Sequence, residues 1–145
     1  MSTTLSFLLP LVALALLVGC QAADDARPAT AAAITGRTWT LVSLDGKTLT
    51  LAAERRAPTL ELQAEPQRVA VFGGVNRLSG TYTMEGAALT ITALISTRMA
   101  GPAEAMGTEA SFSRVLNGVR SWALVEGQLE LTGSGGTARL APPAP

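Results

Sequence analysis

Histidine is absent from this 145-residue chain, and cysteine occurs once, at Cys20. The first absence removes the usual general base near neutral pH and the commonest metal ligand. With a single thiol as well, a metal would have only hard oxygen ligands to draw on, so no metal or other cofactor is expected. Neither sign of charge is in excess: Lys plus Arg is 11 and Asp plus Glu is 11. Aromatic residues make up 4%, too few to supply base-stacking platforms, and nothing basic clusters along the chain. Nucleic acid is therefore not an expected partner. Catalysis also has little to work with. Ser and Thr are plentiful, but Lys47 sits beside a turn glycine. Glu104 and Glu109, five apart, would be separated by roughly 140° around a helix and do not face one site. No catalytic residue is assigned, and a non-enzymatic protein is expected.

What the chain does have begins at its start. Nearly every residue from Phe7 to Val18 is apolar, broken by Pro10. That is about the length of a signal h-region and short of the roughly 20 residues a spanning helix needs. The run ends in Leu17-Val18-Gly19-Cys20, which resembles the lipobox of bacterial lipoprotein signal peptides. The resemblance implies that residues 1–19 are a signal peptide and that Cys20 carries the lipid, becoming the first residue of the mature chain. Met1 to Ser6 carries no Lys or Arg, a departure from the usual positive start. Two or more acyl chains give stable anchoring, so the membrane is an expected partner through Cys20. Gln21 is not the Asp of the inner-membrane retention pattern, which implies the outer membrane, facing the periplasm. Residues 20–35, rich in Ala with Asp24, Asp25, Arg27 and Pro28, lack apolar periodicity and read as a flexible tether. The closing residues 142–145, Pro-Pro-Ala-Pro, read as a disordered tail.

Between these ends, from 36 to 141, period two dominates. Trp39 and Leu41 alternate with threonines, as do Tyr82 with Met84 and Leu89 with Ile91. The pairs Leu60 and Leu62, Val69 and Val71, Trp122 and Leu124, and Leu129 and Leu131 repeat the scheme. Asp45-Gly46, Glu85-Gly86, Glu126-Gly127 and the Gly133 to Gly136 stretch mark turns, where glycine supplies positive φ. One segment differs. Phe112, Val115, Leu116 and Val119 follow helical spacing, predicting a helix from about Pro102 to Asn117 stopped by Gly118. The expected fold is mainly β (α+β): an antiparallel curled sheet or small lipocalin-like barrel of seven to nine short strands, with one helix inserted late to cover an end or seam.

The segment Gly73-Gly74-Val75-Asn76-Arg77-Leu78-Ser79-Gly80-Thr81-Tyr82 resembles the signature of the META domain, the HslJ-like family. Thr97-Arg98-Met99-Ala100-Gly101 resembles its Thr-Arg-Met stretch, Glu109 its Glu-led helix, and Trp39-Thr40-Leu41 its opening strand. Val75 and Gly101 stand where the family pattern carries a pair of cysteines, the arrangement expected if a disulfide is missing. The motif residues Gly74, Asn76, Arg77, Gly80, Tyr82, Thr97 and Glu109 read as structural. Asn76 suits a turn, satisfying backbone groups; Gly73-Gly74 suits a bulge or close backbone approach rather than a phosphate loop. Arg98 and Glu109 read as a solvated pair at the helix start. The resemblance implies an envelope-stress lipoprotein of the heat-shock or novobiocin-resistance type. The expected function is a monomeric, non-catalytic binding module with an envelope protein as partner. The alternatives are a lipocalin-like carrier of a small apolar ligand and an inhibitor of an envelope hydrolase.

Overall fold

The computed structural model describes residues 30–143. Cys20, the signal peptide at 1–19, the tether up to 29 and residues 144–145 of the tail lie outside the described residues.

Nine strands form in chain order: β1 (Thr38–Leu44), β2 (Lys47–Thr48), β3 (Thr59–Gln63), β4 (Arg68–Phe72), β5 (Arg77–Glu85), β6 (Ala88–Ser96), β7 (Val119–Val125), β8 (Gln128–Gly133) and β9 (Gly136–Ala141). One helix, α1 (Ala103–Gly118), is inserted between β6 and β7. The sheet runs β2-β1-β3-β4-β5-β6-β7-β8-β9, and β1 also pairs with β9. All pairings between named strands are antiparallel. Eight strands therefore close into a barrel, and β2 is a short hairpin arm on β1. Closure removes the free sheet edges that an open antiparallel sheet would expose.

The alternation seen in the sequence sets the register. Leu60 pairs with Val71 and Leu62 with Val69, so their side chains share the inner face; Trp122 pairs with Leu131 and Leu124 with Leu129. Ala138 and Leu140 supply the inner face of the last strand, each fully buried. The tight turn at Asp45-Gly46 has positive φ at both residues, as does Glu126-Gly127. That conformation matches the twist of the strands it joins.

The seam lies between β6 and β7, which share one paired position, Ala88 with Ser121. Trp122 reinforces it there: its backbone N–H donates to Ala87 C=O at 2.9 Å, and its indole N–H to Gly86 C=O at 2.9 Å. The connection between these strands is α1, which packs against β6, β8 and β9. Its apolar stripe of Phe112, Val115 and Leu116, with Val119 beyond it, is buried to 1% exposure or less.

The helix begins and ends one residue later than its spacing predicts. Gly118 does not stop it by a left-handed turn. It is the last helical residue, and a Cβ there would meet the backbone of Gly135 in the β8–β9 hairpin. Close packing is therefore its role. The tether reading also needs correction at its end. Ala31–Ala33 forms a 3-10 turn, and Ile34 is fully buried. Ile34 C=O accepts the Trp39 indole N–H at 2.9 Å, and Thr35 bridges to Leu62. One apolar residue among alanines gives no periodicity, so Ile34 was invisible to a pattern argument. Among the described residues, no helix is long and apolar enough to cross a membrane.

Candidate functional site

Two polar side chains are buried in the core among the described residues, Asn76 at 2% exposure and Glu109 at 7%. Asn76 sits at the end of the β4–β5 turn, and Glu109 projects from the inner face of α1, one helical step before Phe112. Glu109 Oε2 accepts from the backbone N–H of Val75 at 3.1 Å and of Asn76 at 2.6 Å, while Oε1 accepts from Asn76 Nδ2 at 2.8 Å. Asn76 Nδ2 also donates to Met99 C=O at 3.1 Å. Its Oδ1 accepts from Met99 N–H at 2.7 Å and from the Thr97 hydroxyl at 2.9 Å. The carboxamide thus uses both donors and both acceptor positions.

Thr97 extends the network. Its Oγ1 accepts from Arg77 N–H at 3.2 Å, and its own N–H donates to Arg77 C=O at 3.0 Å. The result is a brace joining the β4–β5 turn, the segment after β6 and α1. Gly73 makes room for it: a Cβ at Gly73 would lie 2.5 Å from Glu109 Cγ. The close approach expected at Gly73-Gly74 is therefore an approach of the glutamate stem. Both Glu109 oxygens face N–H donors of Val75 and Asn76, which ties α1 to the β4–β5 turn, and Asn76 carries the tie on to the segment after β6. Leaving such buried groups unpaired would carry the full desolvation cost.

The structure thus brings together Asn76, Thr97, Glu109 and the backbone of Arg77, with Gly73 against the glutamate stem, while Gly74, at a φ of 119°, faces Ala105 and Pro58 instead. Asn76 does satisfy backbone groups, but those of Met99 on another segment. The expected solvated pairing of Arg98 with Glu109 does not form, because Glu109 points inward and is occupied by Asn76 and Val75. Arg77 parts from its neighbour at the side chain, which is exposed.

Gly80 and Tyr82 lie further along β5. Gly80 faces a bulge in β6, where a Cβ would lie 2.7 Å from Thr92 C=O. Tyr82 is buried inside the barrel and its hydroxyl donates to Gln63 C=O at 2.8 Å; desolvation raises its pKa above the ordinary value. Val75 and Gly101 are in contact. A Cβ at Gly101 would stand 3.3 Å from Val75 Cβ, close to the roughly 3.5–4.5 Å of bridged cysteines.

A second latch, at Asp45, was not legible as more than a turn. Asp45 Oδ1 accepts from Thr137 N–H at 2.9 Å, and Oδ2 accepts from Arg114 at 3.2 Å. Arg114 also donates to Gly135 C=O at 2.9 Å. The Thr137 N–H, with the Arg114 guanidinium second, holds the Asp45 carboxyl below its ordinary pKa. This links the β1–β2 turn, α1 and the β8–β9 hairpin. Partners 69 and 92 residues away leave no local signal. No group of three or more Cys, Asp or Glu placed to hold a metal occurs among the described residues.

The fold has known counterparts. One protein solved by NMR superposes with a TM-score of 0.63 at 22% identity, over 78% of this chain and 94% of its own. Another, an NMR structure of a protein from Burkholderia xenovorans, gives 0.60 at 20% identity, over 79% and 86%. At these identities the likeness is one of fold. No curated protein matches the chain. The META domain family model matches residues 32–144, spanning the barrel, α1 and the brace. The chain belongs to the META domain family.

Proposed function

We propose that this protein is a lipid-anchored module of the bacterial cell envelope that binds a protein partner and catalyses no reaction. The observation that carries the reading is the bonding of Asn76 and Glu109. These polar motif groups are spent on each other and on backbone, so the motif builds the frame and recognition falls to the outer surface. Cys20 at the end of an apolar run, followed by Gln21, supports attachment to the outer membrane facing the periplasm. The stretch from Cys20 to Ala31 can span at most about 40 Å, which keeps the barrel near its membrane. A role in envelope stress, of the heat-shock or novobiocin-resistance type, follows the family resemblance.

The inward side chains of the strands form one cluster with those of α1. A filled interior favours surface binding over carriage of a small apolar ligand. The test is crosslinking in intact envelopes followed by purification, run beside a mass spectrum of lipids extracted from the purified protein. A defined protein adduct without a stoichiometric apolar molecule is expected. A stoichiometric apolar ligand and no adduct would transfer the function to carriage, and turnover in a broad hydrolase screen would end the non-catalytic reading.

A further inference from the structure

Arg77 directly follows the buried Asn76, yet its side chain is exposed and makes no hydrogen bond or ion pair among the described residues. Its partner across the β4–β5 ladder is Phe72, which pairs in turn with Thr59 on β3. Arg56 lies over the Phe72 ring, its guanidinium carbon 5.1 Å from the centroid. Arg56, Phe72 and Arg77 line one shallow groove of about 390 Å³ on the outside of β3, β4 and β5, together with Thr59, Glu61 and Ser79. Two guanidiniums against one carboxylate leave the groove with an excess positive charge.

We infer that this groove is the recognition site for a carboxylate-bearing segment of the protein partner, with Arg56 and Arg77 as the anion-binding residues and Phe72 as the apolar floor. The inference rests on the protein-binding reading above. A guanidinium presents a planar fork of donors that matches a carboxylate in a bidentate way. Arg56 is already held against an aromatic face, so less side-chain freedom is lost when it binds. The hydroxyls of Thr59 and Ser79 add adaptable donors beside the fork. The brace beneath keeps Arg77 in place, since its backbone N–H and C=O are both tied to Thr97. An acidic segment with an adjoining aromatic side chain fits this set better than a membrane surface does. Glu61 within the groove repels a continuous sheet of anionic headgroups but not one carboxylate placed beside the arginines.

The test uses the full-length protein in detergent and a synthetic peptide of alternating Glu and Phe, with binding followed by NMR shifts and by titration. The peptide should perturb Phe72 and Arg77 first. Arg56→Gln and Arg77→Gln should each weaken binding about tenfold or more, as expected for lost charge-assisted hydrogen bonds. Arg77→Lys should fall between, because it keeps charge without the fork, and Lys47→Gln should bind as the wild type. Arg77→Gln should melt as the wild type, since its guanidinium has no hydrogen-bond or ion-pair partner among the described residues, and Arg56→Gln should lose no more than its exposed contact with the Phe72 ring. Unchanged affinity in both Gln variants would overturn the site. So would Arg-dependent binding to phosphatidylglycerol vesicles in preference to the peptide, or equal competition by inorganic phosphate. Crosslinked envelopes separate the two readings. If the wild type and Arg56→Gln/Arg77→Gln capture the same adduct equally, protein binding stands and this groove falls. If the wild type captures none, protein binding itself falls.

Discussion

Together with Asn76, which reaches Met99 and Thr97, Glu109 fixes three parts of the chain. Its two oxygens take three N–H donors, and Gln in its place would turn an NH₂ group toward donors that need an acceptor. Glu109→Gln should therefore cost about 2–3 kcal/mol in urea unfolding, the range for losing hydrogen bonds to a charged group with a partner left unmet. A loss below about 0.5 kcal/mol, the scale of an ordinary surface substitution, would contradict the brace. Asp45 makes a pH-dependent prediction. Its pKa is lowered in the folded protein from an ordinary value of 3.8 by Thr137 N–H and then Arg114. A lowered folded pKa gives stability that is present above the unfolded value and lost as pH falls through the folded one. Asp45→Asn should thus melt lower than the wild type at pH 7, with the gap closing as pH drops below about 4. A gap that stays constant between pH 7 and pH 2 would mean the latch does not act through ionisation.

At the scale of elements, legibility followed the length of the pattern. Strands such as β3 and β4 were readable because Leu60, Leu62, Val69 and Val71 alternate strictly and all four are buried. The helix was readable because Phe112, Val115 and Leu116 keep a helical spacing. Closure of the barrel was not readable in detail, since pairing of β1 with β9 joins Leu41 to Leu140 across almost the whole domain. The brace was half legible: the motif marked Asn76 and Glu109, but only the fold shows that Glu109 reaches Asn76 rather than Arg98. The contact of Val75 with Gly101 yields a direct check of this region. Gly101 does not need positive φ, so Val75→Cys with Gly101→Cys should bridge on oxidation. The bridge should raise stability by up to about 3 kcal/mol. Thiol titration and melting of the oxidised and reduced forms will decide it; two free thiols under oxidising conditions would show that the segment after β6 is not held where the brace puts it.

The described residues combine a closed barrel with a helix packed against β6, β8 and β9. On the proposed reading, surface and anchor divide the work: a lipid at Cys20 would determine where the barrel sits, and the outer face what it meets there. The sequence was most explicit about the anchor and least about the outer face, because Arg56, Phe72 and Arg77 come from separate segments and only the β3–β4–β5 register sets them side by side. The proposed function depends first on whether Cys20 is acylated. The most direct measurement is palmitate labelling with membrane fractionation of the wild type and Cys20→Ser. The wild type should label and stay with the membrane in high salt, because acyl burial is barely screened, while Cys20→Ser should lose label and fractionate without the membrane. A Cys20→Ser protein that matures, labels and sediments as the wild type does would contradict the account.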